Sequence, residues 1–168
     1  MVATWLNPDG LYKKFGTLKT VPNTGGEYRT YGDWREIELL VNVAGLSTTP
    51  TILNDEVFYP ISMKLQEVEV FVETVGVPGS ATSISVGLIQ TDRTTVIANN
   101  FFLNAVVVAD QTPAGKKTVY SAAGAGNLGV GQATPNTVPG YITLTTAGGA
   151  YTSGVFKIRI RYYRPNTN

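Results

Sequence analysis

The sequence contains neither cysteine nor histidine. Without cysteine, the chain forms no disulfide and offers no thiolate to a metal ion. Without histidine, it lacks the commonest general base, the commonest zinc ligand and the base of any Ser-His or Cys-His nucleophile. Catalysis would have to depend on carboxylate, lysine or tyrosine side chains. We therefore expect a protein that is not an enzyme and that uses no cofactor.

Long apolar runs are also missing. The longest unbroken run, Ala105 to Ala109, is far shorter than the roughly 20 residues that a membrane-spanning helix needs. The first ten residues contain no basic region followed by an apolar stretch, so they do not predict a signal peptide. The length of 168 residues favours a single domain. We expect no membrane partner.

Charge is sparse and unevenly distributed. Charged residues make up 15% of the chain and the net charge is only +1, which argues against a nucleic-acid partner. Residues 27 to 73 contain nine acids and three bases, whereas residues 93 to 168 contain seven bases and one acid. The two halves are therefore expected to pair with each other on folding, or to present opposite charges to different neighbours.

Alternating apolar residues indicate short β-strands. Phe156, Ile158, Ile160 and Tyr162 alternate with the basic stripe Lys157, Arg159 and Arg161. A similar alternation occurs over residues 35–43 and 83–90, and shorter strands are expected near 118–122 and 140–146. The stretch 101–106 is apolar but not periodic, which leaves a short helix open there. Roughly eight strands without a βαβ rhythm predict an all-β fold, a single antiparallel β-sandwich that is jelly-roll-like.

One predicted strand contains a change of phase. In residues 61–75 the apolar positions Ile61, Met63 and Leu65 share one parity. The opposite parity is taken by Val68, Val70 and Val72. A continuous strand cannot turn both sets inward, so we expect a bulge or a bend near Gln66-Glu67.

Residues 1–26 are predicted to form an irregular arm, and residues 27–168 the sandwich. Pro8, Gly10, Gly16 and Pro22 interrupt any long element in the arm. The arm nevertheless carries side chains typical of interfaces, and we predict that it contacts neighbouring proteins through Trp5, Leu6, Leu11, Tyr12, Lys13, Lys14 and Phe15. The alternative is that it folds back as an edge strand or plug of its own sandwich.

Three motifs suggest chemistry, and each has a simpler explanation. Gly124–Gly129 fits the dinucleotide pattern GxGxxG, but the residues that follow do not predict a helix, so a surface loop is favoured. Glu67, Glu69 and Glu73, or the adjacent Asp55 and Glu56, offer carboxylates for glycoside hydrolysis, but a salt-bridged strand face explains them as well. The aromatic clusters Tyr162-Tyr163 and Tyr28/Tyr31/Trp34 suit sugar stacking or a core.

Several stretches taken together resemble the small head decoration or cement proteins of tailed bacteriophages. These stretches are Trp5–Leu11, Phe15-Gly16, Val86–Asp92, Gly124–Gly126, Gly140–Thr143 and Gly154–Tyr163. The resemblance extends from residue 5 to residue 165, although 44–60 and 99–118 match nothing in it. It implies a jelly-roll-like domain, synthesised in the host cytoplasm and bound to the major capsid protein on the outer surface of the virion.

The resemblance implies a structural virion protein that decorates and stabilises a phage capsid by binding across neighbouring major capsid subunits, and the absence of histidine and cysteine agrees with it. The stripe Lys157, Arg159 and Arg161 joins the arm as a predicted contact surface. A β domain with 43% apolar and few charged residues is expected to form a homo-oligomer, and the resemblance implies a trimer. The alternative is a tail-fibre or receptor-binding module that recognises host carbohydrate.

Overall fold

The computed structural model describes residues 5–6, 12–16, 25–31, 34–77, 79, 81, 83–107, 112–121 and 127–165, with backbone alone up to residue 31. This part of the chain contains twelve β-strands and a short 3-10 turn at Val130–Gln132. The strands are β1 (Trp5–Leu6), β2 (Tyr12–Gly16), β3 (Gly25–Tyr31), β4 (Trp34–Asn42), β5 (Thr51–Ile52), β6 (Phe58–Tyr59), β7 (Lys64–Val77), β8 (Ser83–Gln90), β9 (Val96–Val107), β10 (Lys117–Ser121), β11 (Gly140–Ala147) and β12 (Ser153–Tyr163).

The strands form two antiparallel sheets. One has seven strands in the order β1-β2-β3-β4-β12-β7-β10, and the other has five, ordered β5-β11-β8-β9 with β6 also paired to β11. From β4 onward the chain passes repeatedly between the two sheets, so that strands distant in sequence become neighbours. This is the winding of a jelly roll. The predicted all-β antiparallel sandwich is confirmed.

The core lies between the sheets and follows the alternation in the sequence. Ile37, Leu39 and Val41 on β4 turn inward, all with at most 3% exposure, and four residues of β12 are fully buried beside them: Phe156, Ile158, Ile160 and Tyr162. An aromatic cluster fills the centre, with ring centroids between 4.8 and 5.6 Å apart; its members are Tyr59, Phe101, Phe102 and Tyr162. Such edge-on aromatic contacts add stability beyond the apolar area that they bury.

The predicted bulge is present in β7 at Gln66. On the neighbouring strand, Arg161 lies opposite Glu67 and the next residue, Tyr162, lies opposite Leu65, so that Gln66 is an extra residue. The insertion lets Leu65 and Val68 both point into the core despite their opposite parity.

The apolar stretch 101–106 belongs to β9 and is not a helix. Val86 pairs with Leu103, whereas Leu88 pairs with Ala98, so β9 has extra residues between these two pairs. The irregularity buries Phe101, Phe102 and Leu103 in succession, which explains why the sequence shows no period of two there.

The prediction of an irregular arm is wrong for two segments of residues 1–26. Trp5–Leu6 and Tyr12–Gly16 are strands, and β2 pairs with β3 over five residues. The glycines and prolines fall between these short strands or at their ends and so do not prevent pairing. The rest of the predicted arm up to residue 24 lies outside the described residues.

The connection between β10 and β11 is anchored by a buried amide. The Asn136 side chain accepts a hydrogen bond from the backbone N–H of Met63 at 3.2 Å. Its Nδ2 donates to the carbonyls of Pro60 and Val138, both at 2.8 Å. Asn136 is only 4% exposed, so these bonds replace the water that the amide loses on folding.

Candidate interaction surface

The predicted basic stripe lies in the middle of the seven-stranded sheet, on the face away from the core. Its strand, β12, runs between β4 and β7, which place glutamates opposite the arginines. Arg161 lies opposite Glu36 on one side and Glu67 on the other. Arg159, two residues earlier, lies opposite Glu38 and Glu69 in the same way. The three strands therefore form a ladder in which each arginine is flanked by two carboxylates.

Arg159 occupies the more buried rung. Its Nε donates to Glu38 Oε2 at 2.5 Å, and its Nη1 donates to Glu69 Oε1 at 3.2 Å. Lys117 from β10 adds an ion pair with Glu69 at 2.7 Å. The Glu38 side chain is only 3% exposed and that of Arg159 is 29% exposed. Such a desolvated carboxylate is stable as an ion only when a cation compensates it.

Arg161 and Lys157 complete the ladder. Arg161 Nε donates to Glu36 Oε2 at 2.8 Å, and its Nη1 donates to Glu67. Lys157 Nζ lies 2.7 Å from Glu73 Oε1 and 5.4 Å from the centre of the Phe71 ring. The expectation that the acidic and basic halves of the chain pair on folding is confirmed for the basic stripe and the glutamates of β7, and the pairing occurs within one chain.

The ladder holds both arginines in the charged form. Partial burial opposes the charge of Arg159, but the hydrogen bond to Glu38 and the nearby carboxylates outweigh it, so the pKa of Arg159 lies above its usual range. The hydrogen bond to Glu36 is the largest influence on Arg161 and also raises its pKa. The three cations of the basic stripe are thus all paired with carboxylates of the same chain. Contact of this stripe with a capsid stays a prediction.

A pocket of about 350 Å³ opens beside the Arg161 rung. It is lined by Trp34, Arg35, Glu36, Gln66, Glu67, Arg159 and Arg161. Trp34 pairs with Tyr163 across β4 and β12, and the two rings are 5.9 Å apart between centroids. The two aromatic clusters seen in the sequence therefore meet through these two residues. Tyr162 does not take part, because it is buried in the core.

A second exposed patch lies on the five-stranded sheet. Phe58 is 52% exposed and packs edge-on against Tyr141, with centroids 6.3 Å apart. Arg93 lies 5.3 Å above the Tyr141 ring and forms a 3.4 Å ion pair with Asp55. Exposed aromatic and arginine side chains of this kind are enriched at protein interfaces.

The remaining predicted contacts lie at the margin of the seven-stranded sheet. Strands β1 and β2 form its outer edge and carry Trp5, Leu6, Tyr12, Lys13, Lys14 and Phe15, whereas Leu11 lies outside the described residues. By register, Lys14 is in the same row as Glu27, Glu38 and Arg159. Among the described residues, β1 has no neighbouring strand on its outer side. Contact of β1 and β2 with other proteins stays a prediction.

The motifs that suggested chemistry have structural roles where they are described. Residues 124–126 of the glycine-rich motif lie outside the described residues, and a three-residue 3-10 turn follows the motif in place of a longer helix. Glu67, Glu69 and Glu73 all form ion pairs. The described residues contain no group of three or more acidic side chains placed to hold a metal ion. In the same part of the chain, no helix is long and apolar enough to cross a membrane.

The sequence shows the acids of β4 but not their burial. Glu36 and Glu38 have the same two-residue spacing as Arg159 and Arg161, which is the one signal that could have matched them. Which strand lies beside β12 depends on the sheet order, and no local pattern gives it.

Solved structures of phage capsids contain chains similar to this one. A chain in the capsid of Ralstonia phage GP4 matches with a TM-score of 0.53 and 12% identity, over 91% of this chain and 92% of that chain. A chain in the cyanophage Pam1 capsid asymmetric unit matches at a TM-score of 0.49 and 14% identity, over 81% and 90%. Searches of family models and curated proteins found no match. At such identity the GP4 likeness establishes the fold: this chain has the fold of a phage capsid chain.

Proposed function

We propose that this protein is a structural component of a bacteriophage virion that decorates and stabilises the capsid by binding across neighbouring major capsid subunits. The observation that carries the proposal is the jelly roll shared with a chain of the GP4 capsid over nearly the full length of both chains. The sequence motifs that resemble decoration proteins support the same function independently of the fold.

The geometry suits a passive, rigid role. The ladder joins three strands of the outer sheet face by charge-assisted hydrogen bonds, and the aromatic cluster fills the core beneath it. A protein that binds two neighbouring subunits at once needs a rigid scaffold and an attachment surface at its periphery. We propose that β1 and β2 form this attachment surface, that the protein is a homotrimer, and that it lies on the outer surface of the capsid.

The position of β1 and β2 makes their role testable. The jelly roll is complete from β4 onward, and β1 to β3 only widen one sheet. A chain beginning at Gly26 should therefore melt at nearly the same temperature as the full chain but bind empty capsids more weakly. A collapsed melt, or binding equal to that of the full chain, would contradict the proposed attachment role.

Copy number tests the proposed function itself. Quantitative mass spectrometry of purified virions should find the protein in a fixed ratio to the major capsid protein, and light scattering of the isolated protein should give a trimer. A few copies for each particle would instead support the tail-fibre or receptor-binding alternative and would rule out decoration. A monomer throughout a dilution series would overturn the trimer.

A further inference from the structure

The pocket beside Arg161 has an aromatic wall held in a fixed position. Trp34 is 39% exposed, and its ring rests against Tyr163 at an interplanar angle of 51°. Because the antiparallel register of β4 and β12 places the two residues opposite each other, neither ring needs to be ordered by a ligand. An exposed, supported indole offers a flat π face to weakly polarised C–H groups.

Most of the charges that line this pocket are compensated by ion pairs; the exception is Arg35, which lines the pocket and forms no ion pair with the described residues. Arg161 is held between Glu36 and Glu67, and Arg159 between Glu38 and Glu69. These groups keep fixed orientations and present both hydrogen-bond donors and acceptors. A charged ligand would have to compete with existing ion pairs, whereas a neutral ligand rich in hydroxyl groups can bond to both kinds of group without separating them.

Gln66 supplies an acceptor that the chain leaves unused. It is the extra residue of the β7 bulge and lines the pocket, and its Oε1 is buried without a hydrogen-bond partner. A buried acceptor in this state destabilises the free protein until a donor reaches it. Bulges commonly redirect a side chain toward a binding site. A hydroxyl group that reached the Gln66 amide from the pocket would provide the missing donor.

We propose that this pocket binds a neutral saccharide, with one pyranose face stacked on Trp34 and its hydroxyl groups bonded to Gln66 and the Arg161 rung. The volume of about 350 Å³ is near the lower limit of ordinary ligand pockets, about 300–1,000 Å³. It therefore suits one or two sugar units. The inference does not depend on attachment to a capsid.

The experiment is an NMR titration of the full chain with a fixed panel of probes. The panel contains the methyl glycosides of glucose, galactose and mannose, together with N-acetylglucosamine and N-acetylgalactosamine. At least one should shift the Trp34 indole N–H signal and give a saturation-transfer signal, with a Kd of about 1 mM for a single sugar unit. Inorganic phosphate is the anionic probe and should leave the signal unchanged.

Three variants make the test specific. Trp34→Ala should weaken binding about tenfold or more, and Gln66→Leu should weaken it while keeping the aromatic wall. Phe58→Ala removes an exposed ring from the other sheet, 52% exposed against 39% for Trp34, and should leave binding unchanged. If Trp34→Ala does not fold, the sugar affinity of Gln66→Leu alone tests the proposal. The proposal is overturned if no panel sugar binds, if phosphate alone binds, if Phe58→Ala weakens binding equally, or if the pocket variants bind like the wild type.

Discussion

Replacing Arg159 by methionine removes the cation from the most buried rung of the ladder. Glu69 keeps its ion pair with Lys117 at 2.7 Å, so the cost falls mainly on Glu38. The Glu38 side chain is 3% exposed and loses a hydrogen bond of 2.5 Å. The substitution therefore measures how much the stability of the fold depends on the pairing of the buried Glu38 carboxylate with this arginine.

The loss in the free energy of unfolding that we expect for Arg159→Met depends on how deeply the ion pair is buried. Removing one partner of a fully buried ion pair costs about 3–5 kcal/mol. Because the Arg159 side chain is 29% exposed, water screens part of the interaction, and we expect a loss of about 2 kcal/mol in the free energy of unfolding. For a domain of this size such a loss lowers the melting temperature by about 4–8 °C.

The assay is thermal and urea unfolding at pH 7 and fixed protein concentration. Arg93→Met is the matched control, because the Arg93–Asp55 pair is more than half exposed on both sides and should contribute at most about 1 kcal/mol. The double variant Arg159→Met with Glu38→Met removes both charges and should recover most of the loss. The reasoning is refuted if Arg159→Met costs no more than Arg93→Met, or if the double variant is as unstable as the single one.

Three further predictions concern other parts of the fold. Asp92 accepts hydrogen bonds from the Thr95 side chain and from nearby backbone N–H groups, which lowers its pKa to about 2. Its contribution to stability is therefore present above its unfolded pKa and lost as the pH falls toward 2, and an NMR titration of its carboxyl carbon should show a midpoint that Thr95→Ala raises. Asn136→Ala removes three hydrogen bonds around a buried amide and should cost about 2–3 kcal/mol in urea unfolding, whereas an unchanged midpoint would contradict the anchoring role. Gly131→Ala would drive a Cβ into the Phe101 ring and should cost about 1–3 kcal/mol, which Phe101→Leu in the same chain should partly relieve.

The sequence predicts the fold best where one face of a strand is buried and the other is charged. The alternation of β12 gives both its inward residues and its basic stripe, and the change of parity after Leu65 locates the bulge at Gln66. It fails in β9, where extra residues break the period of two. It also fails at β1 and β2, because short strands need few residues between breaks and their pairing partner is not encoded locally.

The candidate site is less predictable than the fold. The sequence identifies the basic stripe and the β7 glutamates as partners by their opposite charges, but not the pairing of the arginines with Glu36 and Glu38 of β4. It does not reveal that Trp34 and Tyr163 meet, since this contact depends on the register between strands separated by most of the chain. The pocket arises from that register together with the bulge.

The placement of β12 between two acidic strands has a consequence for the order of folding. Both β4 and β7 precede β12 in the chain, so both leave the ribosome before it. Their outer faces carry glutamates with the same spacing, and direct pairing of these two strands would place like charges side by side, which is unfavourable. The charges that stabilise the finished sheet thus also disfavour, before β12 is available, a sheet in which β4 and β7 pair directly and the central strand is missing.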